Sequence, residues 1–268
     1  MEIIVLVKEV LDPDLPPSKF SVDTKNNRVI PPEGIPPVIS PYDAVAIEAA
    51  LRIKEEAGGR ITVVSLGNPS AEAVVRKALA MGADAGIVVS DPSFDLEDSY
   101  LAAHILTQTI RKIGKYDLIL CGRQAVDWDR GVTGPIMAEY LAVPVATLAR
   151  AIKVSDRSVR VERVLADGHE TLEMDLPAII TVSNEFGQAR IPSAWGVIKA
   201  VKEEIPVWSA KDIGAEDAQN KDNPGEGRLR RLYIPSYERK CEFLTGERPE
   251  ELAAALVKKI YSRETASP

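Results

Sequence analysis

At 268 residues the chain is long enough for one large α/β domain, or a domain with an appended arm, and for a proper core. A formal charge of −7 argues against nucleic-acid binding, because phosphate backbones need clustered Lys and Arg. Cys121 and Cys241 stand far apart and His104 and His169 are isolated, so neither a disulfide framework nor a metal site is expected. With no long apolar run and no leader signal, the chain is expected to be soluble, unprocessed and cytoplasmic.

Ile3 to Val7 is a continuous apolar run, the pattern of a strand covered on both faces. A loop rich in proline and charge follows, from Asp12 to Pro41. Tyr42 to Glu56 carries apolar residues at helical spacing and ends at Gly58-Gly59. Strands are expected at 61–66, 85–89 and 118–121, helices at 70–81, 98–113 and 132–142, and a fifth short strand at 145–148. Such alternation predicts a doubly wound, mostly parallel, Rossmann-like sheet with right-handed crossovers. Ligands on such sheets bind beyond the carboxyl ends of strands where strand order reverses, which points to the loops after Val7 and Cys121.

After residue 150 the pattern changes to short β-branched runs at 152–154, 158–165, 170–174 and 178–182, read as antiparallel strands added to the parallel sheet. Pro206 to Gly227 is polar and reads as a linker or surface arm. Residues 229–244 are irregular, and a last helix spans Pro249 to Tyr261, acidic early and basic late as the helix dipole prefers. These readings divide the chain into an α/β domain, 1–205, and a linker with a C-terminal arm, 206–268.

The catalytic inventory is thin. There is no Gly-x-Ser-x-Gly elbow, no Gly-x-x-x-x-Gly-Lys-[Ser/Thr] loop and no Gly-x-Gly-x-x-Gly opening a helix. The most informative stretch is Gly122 to Pro135, a polar glycine-bearing loop between a buried strand and a helix start. There backbone N–H groups without intrahelical partners can face a phosphate, and Gly131 and Gly134 permit close approach. An ordinary βα turn is the alternative. Lys8 reads as a phosphate or ribose contact or as a solvated lysine. Asp127 and Asp129 read as capping or loop-shaping carboxylates or as ligand contacts. Arg123 is an anion partner or the mate of one of those carboxylates. Trp128 covers a ligand or a partner surface. A second unusual segment, Ser183 to Gly196, places exposed-looking Phe186, Ile191 and Trp195 beside Arg190, a composition typical of contact patches, the alternative being a loop packed on its own domain.

Several motifs in order carry a family resemblance over nearly the whole chain. They include Val5-Leu6-Val7-Lys8, Ser40-Pro41-Tyr42-Asp43 before Ala46-Ile47-Glu48-Ala49-Ala50, Ala78-Leu79-Ala80-Met81-Gly82-Ala83-Asp84, Gly122-Arg123-Gln124-Ala125-Val126-Asp127 and Arg190-Ile191-Pro192-Ser193. The sequence resembles the β subunit of an electron transfer flavoprotein. The resemblance implies a heterodimer whose α subunit makes most contacts to FAD, while the β subunit holds AMP or, in a bifurcating form, a second FAD. It implies an electron carrier without catalytic residues of its own, taking electrons from flavin dehydrogenases of the acyl-CoA type and passing them to a quinone oxidoreductase. The competing expectation is a stand-alone adenine-nucleotide enzyme or a stress-type nucleotide module.

Carried over by position, the nucleotide contacts are Val7, Lys8, Ser40, Leu66, Cys121, Gly122, Asp127, Asp129, Gly131, Val132, Thr133 and Gly134, with Arg123 beside them as the anion partner. Residues 184–196 correspond to the family's recognition loop, with Glu185, Arg190, Ala194 and Trp195 as partner-binding residues, and the arm from about 228 to 261 reaches over the α subunit. Several positions depart from the family pattern. Ser40 stands for the usual Asn, Val132 for a Gln, Pro13 for an aromatic residue near the flavin, and Ala194 for the loop's Leu anchor. Thr133-Gly134 follows the AMP form, whereas Pro135 and 34–39 resemble the bifurcating one, and Arg130 matches neither. The resemblance leans to AMP.

Overall fold

Strand β1 (Glu2–Val7) is buried from Ile3 onward because helices cover both sheet faces around it. The computed structural model describes residues 1–94, 97–217, 229–236, 241–246 and 248–264. Short antiparallel pairs follow β1: β2 (Glu9–Val10) with β5 (Val38–Ile39), and a hairpin of β3 (Ser21–Asp23) and β4 (Arg28–Ile30) turned at Asn27, whose φ is +51°. Helix α1 (Pro41–Ala57) leads to β6 (Arg60–Leu66), α2 (Glu72–Met81) to β7 (Ala85–Val89), α3 (Ser99–Ile113) to β8 (Leu118–Gly122) and α4 (Thr133–Leu141) to β9 (Val145–Val154). Then come β10 (Ser158–Leu165), β11 (Gly168–Asp175), β12 (Ala178–Val182), α5 (Ala194–Lys202), β13 (Val207–Trp208), α6 (Ala210–Ile213) and α7 (Pro249–Glu264).

One sheet of nine strands runs β11-β10-β9-β12-β8-β1-β6-β7-β13. From β1 the chain winds outward through α1 and α2 to β7, then returns through α3 to the other side of β1. Helices α1 and α2 pack in one apolar cluster, α3 and α4 in the other, so the chain changes face as it changes direction. The doubly wound reading therefore holds, and the strand order reverses between β1 and β8.

Three local expectations are corrected. Strand β12 is not antiparallel: it inserts between β8 and β9 and runs parallel to both. The runs at 145–148 and 152–154 are one strand, β9, interrupted by an irregularity at Leu148, whose φ is +61° and whose N–H is taken by Thr181 Oγ1 at 3.1 Å. The polar stretch from Pro206 is not a linker at its start. Val207 and Trp208 extend the sheet beside Val88 and Val89, and Ser209 and Asp212 form a reciprocal capping box on α6. Trp208 is held under the Lys112 ammonium, 4.3 Å from the ring centroid. Polar composition hid an edge strand too short to show a period. The remainder of that stretch, 218–227, lies outside the described residues.

Residues 1–232 form one unit, and its border with the second falls at 232/233. Asn27 ties the end of the first unit to the hairpin, receiving the Leu232 N–H at 2.9 Å and donating to the Arg230 carbonyl at 3.4 Å. In the second unit α7 leaves Leu256, Val257, Ile260 and Tyr261 exposed. No helix among the described residues is long and apolar enough to cross a membrane.

Candidate functional site

Beyond the carboxyl ends of β1, β6 and β8 lies a crevice of about 310 Å³. Its floor is set by Asp43, in the first turn of α1 and 6% exposed. The Asp43 carboxylate accepts the Lys8 N–H at 2.8 Å and the Gly122 N–H at 2.9 Å, fastening the exits of β1 and β8 to one helix end. Gly122 is required there, since a Cβ would fall 2.6 Å from Asp43 Oδ1 and 2.7 Å from Tyr42 Cβ. Burial pushes the Asp43 carboxyl up to about 7, against the two N–H donors and the nearby Lys8 ammonium, which favour the ionised form. Burial also pushes the Cys121 thiol up to about 12, so this cysteine is a wall of the crevice and not a nucleophile.

The loop after β8 forms the rim. Lys8 Nζ pairs with Asp127 Oδ2 at 2.5 Å, and the other Asp127 oxygen accepts the Trp128 N–H at 2.9 Å. Asp129 has φ +52° and holds Gln124 Nε2 at 2.7 Å. Both carboxylates thus shape the loop, and neither caps α4, whose N-terminus has no side-chain cap. Helices α3 and α5 differ: Asp98 accepts from the N–H groups of Tyr100 and Leu101, and Ser193 from that of Gly196. Among the described residues the N–H groups of Gly131, Val132, Thr133 and Gly134 meet no protein acceptor. Gly131 has φ +63°, and a Cβ on Gly134 would lie 2.9 Å from Thr181 Cγ2 and 3.1 Å from Cys121 Sγ. Glycine at these two points brings the first turn of α4 down against the sheet, so that Gly131, Thr133 and Gly134 line the crevice.

Of the residues named from sequence, Val7, Lys8, Leu66, Cys121, Gly122, Arg123, Asp127, Gly131, Thr133 and Gly134 line this one crevice. Ser40, Asp129 and Val132 do not. Ser40 is fully buried, with no partner for its hydroxyl among the described residues, Asp129 turns to Gln124, and Val132 is 38% exposed. Arg123 lies over the Tyr42 ring at 5.8 Å, and among the described residues it forms no ion pair with Asp127 or Asp129. Sequence reasoning passed over Asp43 as a floor residue and Arg130 as a lining residue. Asp43 follows Pro41 by two positions in a helix start, a signal that reads equally as ordinary first-turn acid. Arg130 lies in the loop singled out from sequence, but its hydrogen-bond partners, the Glu97 carbonyl at 2.6 Å and Ser99 Oγ at 3.4 Å, come from the start of α3, which spacing does not bring near. Its guanidinium also stacks on Trp128, 5.3 Å from the ring centroid.

The segment 183–196 is built otherwise. Asn184–Phe186 forms a 3-10 turn capped by Ser183, and Phe186 is half-buried against the core under Arg52, so it is not an exposed anchor. Arg190 faces inward: its Nε meets Glu48 Oε2 at 2.7 Å and its Nη1 meets Glu55 Oε1 at 2.6 Å, fixing the segment to α1. Those carboxylates hold the Arg190 guanidinium still further above its ordinary range. Glu185 is exposed, with His169 Nε2 at 4.0 Å. Ala194 and Trp195 belong to the first turn of α5 and not to a loop. Gly196 sits on α2, where a Cβ would fall 2.2 Å from the Ala80 carbonyl oxygen. Arg76 closes the other end of α5 on the Ala200 and Glu203 carbonyls. Thus mounted, α5 shows solvent Trp195 (75% exposed), Ile198 and Val201, with Ile191 (90%) beside them.

Residues 29–213 match the model of the electron transfer flavoprotein domain. The chain is 36% identical to the electron transfer flavoprotein subunit beta of Thermoanaerobacterium thermosaccharolyticum, over 98% of this chain and 99% of that one. It is 35% identical, over 98% and 99%, to the caffeyl-CoA reductase-Etf complex subunit CarD of Acetobacterium woodii. It is 32% identical to protein FixA of Azorhizobium caulinodans, over 98% and 95%. With the sheet and its reversal point, these matches place the chain in the electron transfer flavoprotein family, among its β subunits, and assign it an electron-transfer role.

Proposed function

We propose that this subunit joins an α subunit in a heterodimer, helps hold the FAD that carries the electrons, and binds an adenine nucleotide, AMP or a second FAD, in the crevice at the end of β8. The observation that carries the reading is the set of uncapped backbone donors at Gly131, Thr133 and Gly134, which line a crevice also lined by Lys8 and Arg123. An oxidised phosphorus group satisfies such donors and the positive end of the helix dipole together. The residues present fit a nucleotide: Val7 and Leu66 offer apolar wall, Asp127 accepts hydroxyls once Lys8 turns to a phosphate, and the glycines leave room. Flavin supplies the redox chemistry when bound. This chain's part is to bind, orient and present.

The rigid apolar face of α5 suits docking on a flavin dehydrogenase of the acyl-CoA type, with a quinone oxidoreductase as acceptor and the cytoplasm as the place of work. One relative's name couples it to a caffeyl-CoA reductase, which agrees with a dehydrogenase-like partner. The exposed apolar side chains of α7 suit the α subunit. Co-expression with the α subunit, heat release and quantitation of ligands test the reading. One FAD plus one further adenine ligand per heterodimer is expected. A heterodimer carrying a single FAD and no other nucleotide overturns it.

A further inference from the structure

Two guanidinium groups line the crevice, and among the described residues neither forms an ion pair with a carboxylate. Arg123 lies over Tyr42 at the start of α1, and its buried Nε has no partner among the described residues. Arg130 is held by the Glu97 carbonyl and Ser99 Oγ at the start of α3 and by the Trp128 ring. Since α1 and α3 pack on opposite faces of the sheet, the cations stand on opposite walls. The uncapped donors of α4 and Lys8 line the same crevice. Four carboxylates line the crevice as well: Asp127 pairs with Lys8, Asp43 accepts two backbone N–H groups, Glu9 accepts the Ser70 hydroxyl, and Glu97 meets Arg130 through its backbone carbonyl. A monophosphate at the start of α4 answers one wall. Two linked phosphates answer both.

We propose that Arg130 is a second anion-binding residue of the crevice and that it selects an adenine ligand with a diphosphate, such as the pyrophosphate of a dinucleotide, over a monophosphate. This rests on the crevice being a nucleotide site, and it favours the second of the two ligands named above against the AMP lean of the sequence. A planar guanidinium suits the task, because its fork addresses phosphate oxygens in pairs while its carbonyl contact keeps it in place. Arg130 is also the loop position at which the sequence departs from both family patterns.

The test uses the heterodimer stripped of resident nucleotide, titrated calorimetrically with AMP and with ADP as the simplest diphosphate probe. ADP should bind the unaltered protein at least about tenfold more tightly than AMP, the usual worth of one charged hydrogen bond. Arg130→Ala should bring the two affinities to within about threefold of each other by weakening ADP alone. Arg130→Gln keeps a donor for the Glu97 carbonyl and should give the same loss of preference, which separates charge from loop support. Arg130→Lys should restore part of it. Equal binding of AMP and ADP by the unaltered protein, or an equal loss of both in Arg130→Gln, overturns the assignment while leaving the nucleotide site standing. Failure of both nucleotides to bind the unaltered protein overturns the site itself.

Discussion

The crevice and the outer face of α5 lack partners in opposite ways. At the crevice the apolar walls are packed, and polar groups are left over: uncapped N–H groups at α4 and two guanidinium groups that form no ion pair among the described residues. At α5 the polar groups are settled by Ser193, Arg76 and Arg190, and the apolar groups are left over: Ile191, Trp195, Ile198 and Val201. A concave place short of acceptors calls for a small anion. A convex one short of apolar contact calls for a macromolecular surface. The difference also separates two kinds of support, because the crevice depends on backbone approach and the α5 face on side-chain clamps.

The largest effect on stability should come from Gly196→Val, because the new Cβ would overlap the Ala80 carbonyl oxygen and force α5 off α2. A loss of about 3 kcal/mol in urea unfolding is expected, with nucleotide content of the folded fraction unchanged. Loss of the nucleotide as well would mean that the two regions are not independent. Glu48→Ala comes next, leaving Arg190 and Arg52 without their shared carboxylate at a position 5% exposed. About 2 kcal/mol is expected, less than for a fully buried pair because both arginines reach solvent, together with faster proteolysis within 184–192. Gly131→Val works on the other region. It forces a β-branched residue to φ +63°, worth about 1–2 kcal/mol, and should empty the crevice of nucleotide while the flavin shared with the α subunit stays. Full retention of that nucleotide would remove the α4 donors as its seat.

Much of this contrast was legible beforehand, and the reason is local periodicity. Buried runs such as Ile3 to Val7 and Leu118 to Cys121 announce parallel strands, and Gly131 and Gly134 announce a backbone bent to meet something. What escaped depends on residues distant in sequence. Asp43 becomes a floor only because β1 and β8 end beside it, more than 30 residues away from Lys8 and nearly 80 from Gly122. Arg130 becomes a lining residue only because α3 starts next to it. The Ser183–Gly196 segment reads as a loop because Pro192 and Gly187 interrupt it, yet Ser193 caps a helix that its short, glycine-bearing sequence barely signals. Arg190 reads as a docking cation because nothing near it in sequence shows Glu48 and Glu55 waiting on α1.

A smaller effect sharpens the contrast by pH. Burial raises the Asp43 carboxyl to about 7, so the folded state holds its proton longer than the unfolded chain does. That contribution to stability is complete below the unfolded carboxyl value of about 4 and disappears as pH rises through about 7. At the clamp, burial opposes ionisation of Glu48, but the hydrogen bonds from Arg190 and Arg52 prevail and its pKa is lowered, and the Arg190 bond lowers that of Glu55. That contribution is present above the ordinary glutamate range and disappears as pH falls below it. Stability of the ligand-free chain should therefore slope down on both sides. Asp43→Asn should flatten the side between pH 4 and 7, and Glu48→Gln the acid side. The slopes, not the absolute stabilities, are the readout, since Asp43→Asn also places an amide donor against a backbone N–H. Unchanged slopes in both variants would mean that neither carboxyl titrates as its surroundings dictate.

Trp195→Ala should have the smallest effect on the folded chain, within about 0.5 kcal/mol, because the ring is 75% exposed. Its effect on electron delivery should be the reverse. An aromatic anchor at the centre of a docking face carries about 2 kcal/mol, so the concentration of dehydrogenase giving half-maximal flavin reduction should rise about 30-fold. Val197→Ala, on the same helix and 48% exposed, supplies the control, because it removes apolar area without an aromatic anchor. If Trp195→Ala lowers stability as Gly196→Val does, the ring is part of the fold and the α5 face is not a docking ridge. If it moves neither stability nor reduction, the face serves some other contact. Only the combination of an intact fold and a weakened encounter keeps the two regions as described, one completed by a small ligand and the other by a protein.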